Sequence, residues 1–316
     1  MVYLSIVFLI ISLAIVVLSS HWIIKSLSKI AKLLKISDYS AAFIILALST
    51  SLPELFVGIN AALENNPALS LGNVIGSNLV NLTLIAGLGV VLVGGFKIKS
   101  EKTKKDSLMM FFITLAPLIL MFIGRQISRI DGIILIGIFI TYNYILLRDQ
   151  RKFTKVTDGT ITKRQAVIYP FIFIFSLIIL FFASRYAILY AIETVNFLNL
   201  APMIVGLILI ALGTSLPELS FTLSSLAEKK SELSLGNLMG SVVANSTLVL
   251  GVTAIIMPIT ANFLIFLISG SFMIFATFLF ATFVESGSKL YIKEGISLIL
   301  LYVVFMVIQI YVPSIL

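Results

Sequence analysis

Long apolar runs separated by short polar connections dominate the pattern of the chain. Ten runs approach or exceed the roughly 17 to 25 residues that cross the hydrocarbon core of a bilayer. No basic residue precedes the first run and no small-residue cleavage pattern follows it, so we expect a retained helix and not a signal peptide. The runs predict ten transmembrane helices, with the bounds Val2–Ile24, Ser40–Leu63, Leu69–Val93, Ser107–Ile123, Ile127–Leu147, Val167–Tyr190, Ala201–Ala227, Ser234–Met257, Phe263–Val284 and Leu290–Val312.

The composition excludes an ordinary soluble domain. The 316 residues are 59% hydrophobic and 11% charged, with a mean hydropathy of +1.14, whereas soluble domains carry about 25% charged residues. We therefore expect an all-α protein that crosses the cell membrane many times and is surrounded by the lipid bilayer. The chain has no cysteine, which excludes disulfides, thiol catalysis and thiolate metal sites.

Basic residues alternate between the connections. All but three of the 22 lysines and arginines fall on one side of the predicted helices, and only Arg125, Arg129 and Arg185 fall on the other. Positively charged connections remain on the cytoplasmic side of a membrane, so we expect both termini to be extracellular. This topology accounts for the net charge of +8, and we expect no nucleic-acid partner.

The chain repeats itself after 164 residues. Thr-Ser-Leu-Pro-Glu occurs at 50–54 and again at 214–218, and Ser-Leu-Gly-Asn at 70–73 and 234–237, without a gap. Such a period indicates an internal duplication. Each half holds five predicted helices, so the second half enters the membrane in the reverse orientation, as in many secondary transporters. We predict a first five-helix repeat at 1–147, a cytoplasmic linker at 148–166 and a second, inverted five-helix repeat at 167–316.

The repeated pentapeptide places a glutamate, Glu54 or Glu218, inside an apolar run of each half. A carboxylate in the bilayer core costs at least ~2.5–3.5 kcal/mol, so it persists only where it is paired, hydrated or binding something. Pro53 and Pro217 lack a backbone N–H and disfavour helix at the preceding residue, which predicts breaks in helices 2 and 7. A broken helix is tolerated in a membrane where its carbonyls are buried in protein, line a cavity or bind an ion.

Hydroxyl and amide side chains accompany each glutamate at helical spacing. Gly-x-x-x-Gly pairs at 72–76 and 236–240 let helices approach closely beside them. The segments offer oxygen ligands and contain neither His nor Cys, and about 6 to 8 oxygens in flexible geometry suit Ca²⁺ better than Mg²⁺, Zn²⁺ or copper. The two stripes of the first half are Ala47, Thr50, Ser51 and Glu54, then Asn73, Ser77 and Asn81, and those of the second half are Ala211, Thr214, Ser215 and Glu218, then Asn237, Ser241 and Asn245.

The paired T-S-L-P-E and G-N-x-x-G-S-x-x-x-N motifs, in two five-helix halves, resemble the α-repeats of the Ca²⁺/cation antiporter superfamily, especially its prokaryotic Na⁺/Ca²⁺ exchangers. The resemblance spans essentially the whole chain. It implies a secondary antiporter, not an enzyme, that exchanges Na⁺ for Ca²⁺ by alternating access. We expect no cofactor and no obligate protein partner.

The resemblance also implies an ion site at mid-membrane between helices 2, 3, 7 and 8, with helices 1 and 6 sliding across this core. The carbonyls of four residues would complete a site whose other ligands are side chains. The side chains would be those of Ser51, Glu54, Ser77, Asn81, Ser215, Glu218, Ser241 and Asn245, and the carbonyls those of Ala47, Thr50, Ala211 and Thr214.

Several alternatives remain open. An H⁺/Ca²⁺ exchanger would use the same two glutamates as proton carriers, although proton-coupled relatives usually show G-N-x-x-E in place of T-S-L-P-E. Some relatives, including exchangers that cotransport K⁺, have Asp where this chain has Asn245, so the amide argues against K⁺ cotransport. The glutamates could be structural, the asparagines could only join helices, or the protein could be a channel. An intramembrane hydrolase would need a nucleophile with a base, and no His, Lys or Asp lies at mid-span.

Four ionisable residues lie near predicted helix ends. Glu64 and Glu228 correspond under the repeat, and we expect them near opposite membrane faces, as solvated helix ends or as carboxylates on an entry path. His21 lies beside Trp22, and Arg185 occupies its corresponding position in the second half. We interpret His21 as an interfacial anchor, with a pH sensor as the alternative.

Overall fold

Helices account for nearly all of the structure, a computed structural model that describes residues 2–33, 48–98, 100–150, 163–198, 201–286 and 289–311. Two short strands, β1 (Phe96–Lys97) and β2 (Lys289–Leu290), pair antiparallel. The predicted all-α class is confirmed. The helices are α1 (Val2–Leu33), α2 (Leu52–Leu63), α3 (Pro67–Leu92), α4 (Glu101–Gly124), α5 (Arg129–Gln150), α6 (Lys163–Leu198), α7 (Pro202–Thr214), α8 (Leu216–Ala227), α9 (Ser231–Ile256), α10 (Phe263–Ser286) and α11 (Ile292–Tyr311).

Eight helices of the described ranges are long and apolar enough to cross a membrane, and α7 with α8, bent by 41°, forms a ninth candidate. The shorter α2 is also apolar, but the predicted second span starts at residue 40, and residues 34–47 lie outside the described part of the chain. The predicted linker at 148–166 is mostly outside it as well, between the end of α5 and the start of α6. The chain is therefore a multi-pass membrane protein, and ten spans stay a prediction.

The predicted helix breaks lie just before α2 and α8. Ser51 has φ −85° and ψ 0°, and Ser215 has φ −85° and ψ 1°, so the backbone leaves helical geometry identically in both halves. A proline occupies one of the first two positions of each new helix, where its missing N–H is harmless because the first N–H groups of a helix have no partner within it. The breaks predicted from Pro53 and Pro217 are confirmed.

The centre of the molecule is formed by α3 and α9, whose apolar windows are 83% and 78% buried. In α1, α4, α5, α6, α10 and α11 the buried share is only 22% to 44%, because these helices turn apolar side chains towards the surrounding lipid. A π-helical turn interrupts each central helix, at Val80–Ile85 and at Asn245–Val249, and a third lies in α7 at Gly206–Ile210. Such turns are rare and frequently mark functional sites.

Glycines allow α3 and α7 to touch through their backbones. A Cβ atom on Gly72 would lie 2.1 Å from the carbonyl oxygen of Met203, and one on Gly76 would lie 2.3 Å from that of Leu207. On the other side of the contact, a Cβ on Gly206 would lie 2.3 Å from the carbonyl oxygen of Leu69. The sequence predicted the close approach from Gly72 and Gly76. The contact joins a central helix of the first half to α7 of the second half.

Short connections hold the helix ends together on two opposite faces. On the first, which we call the lysine-rich face, Lys97 pairs with Lys289 between β1 and β2, and Glu232 accepts hydrogen bonds from Ser100 N–H and the Thr103 hydroxyl. On the second, which we call the arginine face, Ile127 forms a β-bridge with Ile259. The Arg125 guanidinium also lies there, 3.5 Å from the centre of the Phe263 ring.

Candidate cation site

Both repeated glutamates lie in the first turn of a helix that starts at a break, Glu54 in α2 and Glu218 in α8. The side chains are fully buried, with 0% exposure. A helix N-terminus stabilises a nearby carboxylate because the unpaired N–H groups carry partial positive charge. Glu218 lies close enough to Glu54 for their charges to interact. The fold therefore brings two carboxylates together at the centre of the molecule.

Serine and threonine hydroxyls from the opposite half surround these glutamates. The Ser77 hydroxyl donates to Glu54 Oε1 at 3.2 Å and lies 3.2 Å from the Thr214 hydroxyl. The corresponding pair in the other half, Thr50 and Ser241, has its hydroxyl oxygens 2.8 Å apart, beside Glu218. Each hydroxyl pair thus joins one half of the chain to the other.

Asn73 and Asn237 complete these hydrogen-bond networks. Thr214 donates to Asn73 Oδ1 at 3.1 Å, and Thr50 donates to Asn237 Oδ1 at 3.3 Å. The two contacts exchange when each residue is shifted by 164 positions. The asparagines therefore orient the threonines, and they contact the site through them.

A group of buried oxygens around the glutamates has no hydrogen-bond partner within the described ranges. A buried polar atom without a partner costs about 1–3 kcal/mol, and more when it is charged. So many together indicate a place for a ligand that accepts oxygen lone pairs, which is a cation. The atoms are Ser51 Oγ, Glu54 Oε2, Asn81 Oδ1, Ser215 Oγ, Glu218 Oε1, Glu218 Oε2 and Asn245 Oδ1.

Asn78, which the sequence did not single out, holds Asn245 in place. Asn245 Nδ2 donates to Asn78 Oδ1 at 3.3 Å, and Asn78 Nδ2 donates to Ser246 Oγ at 2.8 Å. These bonds leave Asn245 Oδ1 as the unpartnered atom of its amide. Asn81 has no such support, since neither atom of its amide has a partner among the described residues. The residue that corresponds to Asn78 in the second half is Val242, so repetition could not reveal this role.

The two predicted alanine carbonyls differ in what can be said of them. Ala47 lies outside the described residues. The Ala211 carbonyl accepts hydrogen bonds from Ser215 N–H at 3.1 Å and from the Thr214 hydroxyl at 3.4 Å. To bind a cation, this oxygen would therefore have to share a lone pair or give up its contact with the Thr214 hydroxyl. The other predicted residues lie together in the buried centre: Thr50, Ser51, Glu54, Ser77, Asn81, Thr214, Ser215, Glu218, Ser241 and Asn245.

Comparison with known proteins identifies a family for this arrangement. The sequence model of the family described as "Sodium/calcium exchanger protein" matches residues 4–148 and 168–311. Sodium/calcium exchanger MaX1 of Methanosarcina acetivorans is 25% identical, over 99% of this chain and 100% of its own length. Inner membrane protein YrbG of Escherichia coli is 28% identical over 79% of each chain. The similarity therefore extends along both repeated halves.

The fold is also similar to that of solved structures. A structure of the sodium-calcium exchanger NCX_Mj soaked with Na⁺ and Sr²⁺ has a TM-score of 0.68 and 23% sequence identity, and the match covers 97% of this chain and 99% of the other. A structure of the same protein soaked with Na⁺ and Ca²⁺ has the same TM-score. At this level of identity the likeness establishes the fold.

Proposed function

Because the chain belongs to the sodium/calcium exchanger protein family, we propose that it is a secondary antiporter that exchanges Na⁺ for Ca²⁺ across the membrane. A membrane exchanger is a transporter and not an enzyme, and the described residues suit that role, since the site contains hydroxyls, amides and carboxylates as ligands. Ca²⁺ and Na⁺ are then its substrates. The name of the relative MaX1 supports sodium coupling.

The observation that carries this proposal is the group of unpartnered oxygens around Glu54 and Glu218. Ca²⁺ binds about 6 to 8 oxygens at flexible geometry. The described residues supply carboxylate, hydroxyl and amide oxygens, and within the described ranges no group of three or more His, Cys, Asp and Glu side chains could hold a metal in another way. The proposed ligands are Thr50, Ser51, Glu54, Ser77, Asn81, Thr214, Ser215, Glu218, Ser241 and Asn245, with the carbonyls of Ala47 and Ala211.

Charge balance makes the two glutamates the shared ligands of both ions. One Ca²⁺ neutralises two carboxylates, and three Na⁺ exceed them by one charge. Because burial in a medium of low dielectric constant penalises unpaired charge, the empty site with both carboxylates ionised is unfavourable. Binding one ion species therefore compensates for release of the other, which is the requirement for exchange.

Alternating access would follow from inverted halves. The exchanged contacts support this organisation: Thr50 with Ser241 has its counterpart in Thr214 with Ser77, at an offset of 164 residues. The corresponding helices α2 and α8 also have bounds that differ by this offset. Two halves related in this way can expose one central site to either membrane face in turn.

Uptake of radioactive Ca²⁺ into proteoliposomes tests the proposal. Vesicles are loaded with Na⁺, K⁺ or choline, or given a pH gradient, and diluted into Ca²⁺. We expect uptake only from vesicles loaded with Na⁺. Uptake driven by the pH gradient without Na⁺ would instead establish the alternative, an H⁺/Ca²⁺ exchanger that uses the same glutamates.

Substitution of the glutamates tests the site. We expect Glu54→Gln and Glu218→Gln each to reduce Ca²⁺ uptake to the level of empty vesicles, because an amide keeps the shape but removes the charge that binds the ion. Glu285→Gln is the matched control, since Glu285 is exposed at the end of α10. Normal gel-filtration profiles establish folding. Uptake retained by both glutamine variants at the central positions would refute the site.

A further inference from the structure

The outer helix α6 is attached to α2 at three successive turns. Phe56 packs edge-on against Phe181, with ring centres 6.0 Å apart. One turn later Asn60 Nδ2 donates to Ser184 Oγ at 2.8 Å. We define the latch as this Asn60–Ser184 bond together with the ion pair one turn further on.

That ion pair joins Glu64 Oε1 to Arg185 NH2 at 3.2 Å. It is partly exposed, with side-chain exposures of 25% for Glu64 and 51% for Arg185. Partly exposed ion pairs contribute little to folding stability. A contact of this kind can break and re-form without cost to the fold, which suits a moving part.

The corresponding residues of the other halves do not make this contact. Shifted by 164 residues, Asn60 and Glu64 become Ser224 and Glu228, and Ser184 and Arg185 become Ser20 and His21. Glu228 instead pairs with Lys230 at 2.6 Å, with its side chain 61% exposed. His21 and Ser224 are exposed as well, and the His21 ring contacts that of Trp22. We call these four residues the open counterpart.

The latch and its open counterpart lie on opposite faces of the molecule. The latch is next to the α2–α3 connection, and α3 ends at the lysine-rich face beside β1, so its start and the latch are at the arginine face. The open counterpart is next to Lys230 and Ser231, whose hydroxyl donates to the Lys97 carbonyl on the lysine-rich face. The buried glutamates lie between the two, since Glu54 is ten residues before Glu64, or about 15 Å along a helix.

We propose that Asn60, Glu64, Ser184 and Arg185 close the path from the central site to the arginine face, and that Ser20, His21, Ser224 and Glu228 close the path to the lysine-rich face in the other state of the cycle. The proposal rests on the exchange function proposed above. The structure then represents the state whose site opens to the lysine-rich face. When α1 and α6 move against α2 and α8, the Glu64–Arg185 pair separates and a Glu228–His21 pair forms. These residues position the moving helices and do not bind the transported ion.

The absence of cysteine from the chain permits a direct test by cross-linking. Asn60→Cys with Ser184→Cys replaces two side chains already in contact, and a disulfide needs such proximity. In proteoliposomes we expect oxidation to join these cysteines in nearly all molecules and to lower Na⁺-dependent Ca²⁺ uptake by at least about tenfold, since a fixed gate prevents the conformational step. Reduction should restore uptake.

The matched control joins two helices that do not move in the proposal. Ser70 in α3 and Thr253 in α9 have hydroxyl oxygens 3.1 Å apart, so Ser70→Cys with Thr253→Cys should cross-link without loss of uptake. In a third variant, Ser20→Cys with Ser224→Cys, we expect cross-linking to be slow without ions and faster when Ca²⁺ is present, because a loaded carrier changes state.

Two results separate the failure of this inference from failure of the exchange function. Unchanged uptake by the oxidised Asn60→Cys, Ser184→Cys protein would overturn the latch while exchange stands. Absence of Ca²⁺ uptake in the unsubstituted protein, with cross-linking of Ser20→Cys and Ser224→Cys that responds to another ion, would overturn the assigned substrate and leave the latch intact. A Ser20→Cys, Ser224→Cys pair that never cross-links would overturn the counterpart.

Discussion

Asn245 illustrates how a neighbour decides which atom of an amide faces the cation site. Its Nδ2 is held by Asn78 Oδ1, so its Oδ1 is the atom that remains for a ligand. Cations bind the oxygen of an amide and not its NH₂ group. Asn78 therefore prepares Asn245 to bind before the ion arrives.

Removal of Asn78 should weaken Ca²⁺ binding without abolishing transport. Because one buried hydrogen bond contributes about 0.5–1.5 kcal/mol, and leaving a buried group unpaired costs about 1–3 kcal/mol, we expect Asn78→Ala to raise the Ca²⁺ concentration for half-maximal uptake by roughly 5- to 30-fold. The measurement is the Ca²⁺ dependence of Na⁺-driven uptake in proteoliposomes.

A double-mutant cycle distinguishes orientation from general damage to the core. If Asn78 acts through Asn245, the effects of Asn78→Ala and Asn245→Ala should not add, because either change loses the same ligand. Ser246→Ala removes the other partner of Asn78 and should have a smaller effect. Additive effects of the first two changes would contradict a positioning role.

The residue types of the site could be predicted from the sequence, but the partners of each residue could not. The repeated glutamates, hydroxyls and asparagines stood out because the same types recur at helical spacing in both halves. Spacing within a helix does not specify what lies across from it, so the contacts of Thr50 with Ser241 and of Asn78 with Asn245 needed the tertiary structure. The occupied Ala211 carbonyl was equally invisible, since proline predicts only the loss of one donor.

At the scale of elements, glycines and π-helical turns place the ligands. Gly76 lies one residue before Ser77 in α3, and the space beside it is filled by the backbone of α7 at Leu207 and the Cβ of Ala211. Thr214 follows one turn later on α7 and contacts Ser77. The distance between α3 and α7 therefore sets the distance between these two hydroxyls.

Adding a methyl group at this contact should damage both folding and transport. A Cβ on Gly76 would lie 2.3 Å from the Leu207 carbonyl oxygen and 2.6 Å from Ala211 Cβ. Overpacking of this kind costs about 1–3 kcal/mol, so we expect Gly76→Ala to lower the unfolding temperature and to weaken Ca²⁺ uptake. Thermal unfolding followed by intrinsic fluorescence or light scattering, together with the uptake assay, measures both effects.

Gly137→Ala in α5 is the control, because no atom lies within 4 Å of a Cβ at that position. Alanine favours helix over glycine by about 0.5–1 kcal/mol, so this variant should be as stable as the unsubstituted protein or more so. Equal stability of the Gly76 and Gly137 variants would show that α7 can move away from α3 freely.

The broken helices followed from local chemistry, whereas the π-helical turns did not. Pro53 and Pro217 act on their own backbone, and the breaks at Ser51 and Ser215 appear where proline requires them. The turns at Val80–Ile85 and Asn245–Val249 lie in segments without proline. They adjust a whole helix to its packing partners, so no local residue pattern predicted them.

For the molecule as a whole, the lysine-rich face should be cytoplasmic. Connections rich in lysine remain inside during membrane insertion, and Lys97 and Lys289 meet at this face. In intact cells, a membrane-impermeant thiol reagent should label Gly124→Cys, at the exposed arginine-face end of α4, and not Lys293→Cys, which is exposed near β2. Permeabilised cells should label both. The reverse pattern would place both termini in the cytoplasm.

The charge of the central site predicts how exchange responds to voltage. If three Na⁺ replace one Ca²⁺ at Glu54 and Glu218, one net positive charge crosses the membrane in each cycle. Moving one charge through 100 mV is worth about 2.3 kcal/mol, so the equilibrium Ca²⁺ gradient should change roughly 50-fold per 100 mV. Exchange for two protons or two Na⁺ moves no net charge and should not respond.

The measurement is the direction of net Ca²⁺ flux in proteoliposomes whose voltage is clamped by a K⁺ gradient with valinomycin at two values. At each voltage the Na⁺ gradient is varied until flux reverses. A reversal point that shifts with voltage as expected for one charge establishes three Na⁺ per Ca²⁺, whereas a reversal point independent of voltage establishes electroneutral exchange. The second result would mean that the two carboxylates are balanced equally by both loads, and that the buried site carries no surplus charge at any step.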